Sequence, residues 1–269
     1  LYSYNLVVIT FFTLPIIIFF KITLTKKILY LIFINIAILS LYISGSYEIN
    51  NNKKKLREIN DKVFIKIVSP NFDVKYGLTN GEIEERFKKL IRYSNPIKGK
   101  KTVFIWPEGV FSGYSYEDIS IFKEMISEKF SKKHLIIFGT NLLDSKSGKF
   151  YNSMLAINSN FEIIQSYNKR KLVPFGEFLP FEKFLNNFGL KKITEGHGSF
   201  LKGNKNKNLQ IDNINILPLI CYEVIFTDLI QKSSKGTNLI VNISEDGWFG
   251  KSIGPNQHFA KSIFRAIEN

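Results

Sequence analysis

An α/β domain behind a membrane-crossing lead is the fold class this 269-residue sequence predicts. Three observations carry the prediction. From residue 63 onward, short apolar runs alternate with amphipathic helical stretches, the pattern of strands and helices packed in layers. Ahead of them lie two long runs without a single charge. The only cysteine, Cys221, ends one of the apolar runs and is followed directly by Tyr222 and Glu223.

The first uncharged run covers residues 1–20 and the second 28–45. Each is near the ~20 residues a helix needs to cross a bilayer. Residues 1–47 therefore read as a transmembrane helical hairpin, with Lys21, Lys26 and Lys27 in the loop. The runs are too long for a signal peptide and no small-residue cleavage site follows the first. Orientation stays open on charge alone. The loop lysines favour a cytoplasmic loop, but Lys53, Lys54, Lys55 and Arg57 just past the second run compete with them. Residues 48–61 read as a linker and 62–269 as the α/β domain. Within it, strands are expected at 63–68, 102–106, 135–139, 154–158, 214–220 and 238–243. Helices are expected at 81–94, 117–130, about 224–233 and 256–268. TVFIW (102–106) and NLIVNI (238–243) are nearly all apolar, as central strands buried on both faces would be. Residues 181–207 mix Phe, Gly, Lys and Asn without a period and read as a long excursion over a site. The chain starts without Met and stops inside a helical stretch, so a fragment of a longer protein is expected.

The net charge is +14, of which the three lysines of 1–47 supply three and the remainder eleven. A basic domain on a tether is drawn to anionic lipid headgroups. No basic stripe interleaved with aromatics points to nucleic acid. One cysteine excludes an intramolecular disulfide. His134, His197 and His258 lack metal-ligand spacing, so neither a metal nor another cofactor is expected.

Three segments carry chemistry. Cys221 leaves the apolar run ILPLI where a strand exits the core, and a helix starting just after it would lower the thiol pKa. Glu108 follows Trp106 and Pro107 at the end of TVFIW, a position packing does not explain. Lys169 and Glu177 flank LVPFGE, although spacing does not separate Lys169 from Arg170 and Lys171. A thiol, a lysine and carboxylates on separate strand ends can build a nucleophilic acyl-transfer site.

The segments WPEG, YNKRKLVPFGEFLP, LICYE and NISEDGWFG followed by GPNQH closely resemble the nitrilase superfamily and, within it, the apolipoprotein N-acyltransferase family. The resemblance covers about 63–269. It implies an αββα sandwich preceded here by two transmembrane helices, and a catalytic Glu108–Lys169–Cys221 triad. Glu177, Glu223 and the backbone N–H of Tyr222 would support it, and Trp106, Phe175 and Trp248 are the substrate-binding candidates. It also implies a phospholipid acyl donor such as phosphatidylethanolamine, a diacylglyceryl apolipoprotein acceptor, a thioester on Cys221 and a place in the bacterial inner membrane with a periplasmic catalytic domain. Two departures stand out: this chain reads Ser244-Glu245-Asp246-Gly247 in a segment where the family often has an Asn, and Asn256 between Pro255 and Gln257 where the family often has an aromatic. The alternatives are a membrane-tethered carbon–nitrogen hydrolase and a catalytically dead lipid-binding module. The membrane lead and LVPFGEFLP argue against the first, and the intact Glu, Lys and Cys against the second.

Overall fold

The computed structural model describes residues 2–58, 63–182, 198–204, 208–211, 213–231 and 236–268. The chain divides into two compact units, Leu1–Asp61 and Lys62–Ile267.

The first unit is helical. Helix α1 (Tyr2–Thr13) gives way to a 3-10 segment, Leu14–Phe19, with Pro15 in its first turn. Proline has no N–H to donate and its ring crowds the preceding turn, so the α-helix ends there. Helix α2 (Leu24–Glu58) follows. Among the described residues one helix is long and apolar enough to cross a membrane, Leu24–Asn51, with 28 residues and a mean hydropathy of 2.1. Two spans were expected. The first apolar run instead supplies a shorter apolar helical stretch, Asn5–Ile17, within which the α-helix gives way to the 3-10 segment at Pro15. Of the 48–61 segment, expected as a linker, the part up to Glu58 continues helix α2.

In the second unit, a five-stranded sheet has the order β1 (Phe64–Ile67), β2 (Thr102–Ile105), β3 (His134–Leu143), β4 (Phe150–Ile157), β5 (Ile163–Asn168). The first three strands are parallel and the last two antiparallel. Strands β3 and β4 form a hairpin whose turn is closed by the Asp144 carboxylate, which accepts from the N–H and hydroxyl of Ser147. A three-stranded sheet has the order β6 (Leu209–Ile211), β7 (Ile214–Ile220), β8 (Leu239–Ile243), with β7 and β8 parallel. Helices α3 (Asn80–Ser94), α4 (Tyr116–Ile119), α5 (Lys123–Lys129), α6 (Thr227–Gln231) and α7 (Gly254–Glu268) complete the described elements. Strand β8 lies at the edge of its sheet among the described residues, not at the centre as its apolar run suggested.

The period of two along each strand builds the layers. Phe104, Trp106, Ile136, Phe138, Leu155 and Ile157 point to one face of the larger sheet, where they pack with Ile83, Phe87 and Leu90 of α3 and Ile126 of α5. Their alternates Val103, Ile137, Met154 and Ala156 face the other way and pack against Ile216, Ile220, Val241 and Ile243 of the smaller sheet. On that sheet's far side Leu217 and Leu219 meet Val224 and Ile230. The result is a helix–sheet–sheet–helix stack. Helix α3 docks with its ends satisfied: Thr79 and Glu82 form a reciprocal capping box, and Asn95 ends the helix in the left-handed region.

Candidate active site

The stack brings one set of strand ends together. Glu108 follows β2 by three residues, while Lys169 and Cys221 come immediately after β5 and β7. Asn152 lies near the start of β4, which runs antiparallel and so begins beside the C-terminal half of β3. Gly139 of β3 lets the Glu108 backbone come in close, since a Cβ there would lie 2.9 Å from the Glu108 Cα.

Lys169 is the centre of the polar cluster, its side chain only 2% exposed. Its Nζ donates to Glu177 Oε1 at 2.8 Å and stands 3.8 Å from Glu108 Oε1. The Asn152 amide donates to both acids, at 2.9 Å to Glu108 and 2.7 Å to Glu177. The other Glu177 oxygen accepts the Val173 N–H, and the other Glu108 oxygen accepts the Glu245 N–H at 3.2 Å. Of the three adjacent basic residues, Lys169 is the one whose ammonium joins this cluster.

Cys221 opens a 3-10 turn, Cys221–Ile225, and holds a φ of +52°. That left-handed conformation costs an L-residue roughly 1–2 kcal/mol. Its surroundings hold it there. His258 Nε2 lies 3.1 Å from the Cys221 carbonyl oxygen and donates to it, because a carbonyl can only accept. His258 Nδ1 meets Asp246 Oδ1 at 2.8 Å, and Ser244 donates to the same oxygen. The Ser244 side chain and the Tyr222 backbone N–H both act to lower the Cys221 thiol pKa.

Electrostatics distinguish the members. Burial, then the Glu108 charge, push the Cys221 thiol up to about 12, against the opposing pull of Lys169. The expected helix-terminus depression of the thiol pKa does not occur, because a five-residue 3-10 turn has too few aligned peptides to outweigh burial. Burial also raises Glu108 above the ordinary carboxylate range, with Lys169 opposing and Glu177 adding to the rise. Burial works against the Lys169 charge, but Glu108 and Glu177 outweigh it and hold the ammonium protonated.

The remaining candidates divide. Glu223 is fully buried and accepts from Tyr167 O–H and from the N–H groups of Arg170, Lys171 and Ile220. It ties the segment after β5 to the one after β7, so it places Lys169 and Cys221 relative to each other; no capacity remains for a substrate. Trp106 is not a substrate contact: it is 0% exposed in the helix-side core and donates its indole N–H to Ser94. Phe175 sits exposed in the turn after Lys169 and does not line the cavity, whereas Trp248 does. That cavity, about 120 Å³, is also walled by Glu108, Glu177, Asn152, Glu245 and Tyr76. Of the 181–207 excursion, residues 183–197 and 205–207 lie outside the described residues. Its described part is tied in by backbone bonds, Phe200 N–H to Glu177 O and Gly203 N–H to Lys169 O, and Phe200 lines the cavity. Asn152, Tyr167, Ser244, Asp246 and His258 had no role assigned from sequence. Asn152 carried one faint signal, a polar pair with Ser153 inside an otherwise apolar strand.

Residues 74–269 match the carbon-nitrogen hydrolase family. An apolipoprotein N-acyltransferase from Brucella suis biovar 1 is 33% identical over 218 residues, covering 78% of this chain and 41% of that protein. The apolipoprotein N-acyltransferase of Wigglesworthia glossinidia brevipalpis is 34% identical over 220 residues, covering 76% and 42%. The chain therefore spans about two fifths of the length of these relatives. Among solved structures, the Helicobacter pylori G27 carbon-nitrogen hydrolase superposes with a TM-score of 0.52 at 13% identity, covering 76% of this chain and 69% of that one. Saccharomyces cerevisiae Nit3, a member of branch 10 of the nitrilase superfamily, gives 0.50 at 17% identity, covering 75% and 71%. These two likenesses are of fold.

Proposed function

The chain belongs to the carbon-nitrogen hydrolase family, and on that premise we propose that it is an N-acyltransferase of lipoprotein maturation. It moves an acyl chain from a phospholipid such as phosphatidylethanolamine, through a thioester on Cys221, to the α-amino group of the lipidated N-terminal cysteine of an apolipoprotein. The observation that carries the reading is the convergence of a carboxylate, an ammonium and a lone thiol on one set of strand ends. The named relatives supply the substrate class.

The resting thiol is protonated at neutral pH, so its proton must leave as attack begins. Glu108 is the base: burial makes it more basic than an exposed carboxylate, and once protonated it no longer repels the forming thiolate. The thiolate attacks the ester carbonyl, and the Lys169 ammonium stabilises the developing negative charge. Collapse breaks the ester C–O bond, Glu108 protonates the departing lysophospholipid oxygen, and the thioester remains. The acceptor amine then attacks the thioester carbonyl. Glu108 takes a proton from its nitrogen and returns it to the Cys221 sulfur as the C–S bond breaks. Glu177 and Asn152 hold Lys169 and Glu108 in place, and Glu223 acts through the backbone it ties.

Mass spectrometry of the full-length protein incubated with phosphatidylethanolamine should find an acyl adduct on Cys221 that a diacylglyceryl-cysteinyl peptide discharges as amide. Discharge only to free fatty acid would favour the alternative, a membrane-tethered amidase using water. The pH profile of adduct formation should show an acid limb above the ordinary carboxylate value of 4.5, because the Glu108 base is lost as pH falls through a raised pKa. Glu108→Gln should slow adduct formation by at least ~100-fold and remove that limb. A variant that keeps the limb would assign it elsewhere.

We place the protein in a bacterial inner membrane as a multi-pass protein, with the catalytic domain periplasmic, because both substrates are lipids. Lys21, Lys26 and Lys27 then lie in the cytoplasm, and the basic segment near residue 55 is carried across with its domain, as large domains translocate largely regardless of charge. Reporter fusions in the full-length protein should read cytoplasm at Thr25 and periplasm at Asn204. The reverse result would separate the site from its lipoprotein substrate.

A further inference from the structure

Three carboxylates line the cavity: Glu108, Glu177 and Glu245. Two are committed. Both Glu177 oxygens accept hydrogen bonds, from Lys169, Asn152 and Val173, and Glu108 serves as the base. Glu245 is different. Its N–H supports Glu108, and its Oε1 accepts the Gly247 N–H at 3.0 Å, but its Oε2 accepts no hydrogen bond from the described residues. That oxygen lies over Gly109, 3.2 Å from where a Cβ would be, and such a Cβ would come within 3.0 Å of Glu245 Cβ and Cγ. Gly109, at a φ of +71°, thus leaves room for the Glu245 side chain beside the base.

The surrounding walls suit a cation. Tyr76 and Trp248, with ring centroids 5.8 Å apart, line the same cavity, and aromatic faces attract ammonium groups. The Lys169 ammonium, beside Glu108, is already paired with Glu177. Arg86, whose charge acts on Glu245, donates its guanidinium N–H groups to the Val110 and Asp73 carbonyls.

We propose that Glu245 is the specificity-determining carboxylate for the acceptor, binding its α-ammonium beside Tyr76 and Trp248 and taking the first of the two protons that nitrogen must shed. This deepens the acyltransfer reading and rests on it. The ammonium gives one proton to Glu245, leaving a neutral amine. Its lone pair forms the C–N bond at the thioester carbonyl. Glu108 removes the second proton and delivers it to sulfur as the C–S bond breaks. The amide nitrogen keeps one hydrogen, Cys221 regains its own, and Glu245 releases its proton to solvent.

The test is single-turnover discharge of the acyl-Cys221 protein, in full length and in phosphatidylethanolamine vesicles, by two nucleophiles at pH 7. One is a diacylglyceryl-cysteinyl peptide, whose α-amine is cationic. The other is hydroxylamine, which is neutral. In Glu245→Gln, the ratio of peptide to hydroxylamine rate constants should fall about tenfold, the effect of losing one charge-assisted contact. An unchanged ratio, with acyl-Cys221 forming and the peptide still acylated, overturns the role of Glu245 alone. Absence of acyl-Cys221 in the unsubstituted protein, or its discharge to water but never to amine, overturns the acyltransfer reading and this role with it.

Discussion

Cys221→Ala is expected to abolish both the acyl adduct and the N-acylated product. No other cysteine exists in the chain to take over. The cluster of Glu108, Lys169, Glu177 and Asn152 is held by its own hydrogen bonds and survives the loss of the thiol. Alanine tolerates the left-handed conformation at 221 no worse than cysteine, since both carry a Cβ. The variant should therefore fold, by circular dichroism and melting temperature, while intact-mass measurement finds no adduct. Acyl transfer persisting in this variant would rule out the covalent route and leave direct attack of amine on ester.

Lys169→Met is expected to damage both catalysis and stability. Methionine keeps most of the length and packing of the side chain but leaves Glu108 and Glu177 in a buried site without a cation. Breaking a buried pair in this way costs about 3–5 kcal/mol. Loss of the charge facing the oxyanion should lower the acylation rate by about 100- to 1000-fold. The stability loss has a pH signature. A carboxyl whose folded pKa is raised is favoured in the folded state when protonated, so its contribution is present at low pH and lost as pH rises through the folded value. Glu108 is already raised with Lys169 in place, and removing the ammonium raises it further. The melting-temperature deficit of the variant should therefore shrink from neutral toward acid pH. A deficit independent of pH would mean that Lys169 contributes packing rather than charge.

The layered fold was legible because its cause is local. Val103, Phe104 and Ile105 must point alternately to two buried faces, and both the run and its length are visible in the residues themselves. The strands missed, β5 and β6, are the polar-containing IIQSYN and the three-residue LQI, whose pairing is set by neighbours rather than by their own pattern. The edge position of β8 is likewise invisible in an apolar run, which reports burial but not the order of strands.

At the site, sequence alone determined the candidate groups: one thiol at a strand end, an acid after Trp106-Pro107, and a basic segment closed by Glu177. Only the tertiary structure decided what each group is bonded to. It placed Trp106 in the core, committed Glu223 to Tyr167 and three backbone N–H groups, and set Asn152 between two acids. It also reversed the expected direction of the Cys221 shift. The physical reason is range. Apolar periodicity and turn chemistry act between residues a few positions apart, whereas hydrogen-bond partnership and desolvation depend on groups such as Asn152 and Glu108, 44 positions apart along the chain and 2.9 Å apart in space.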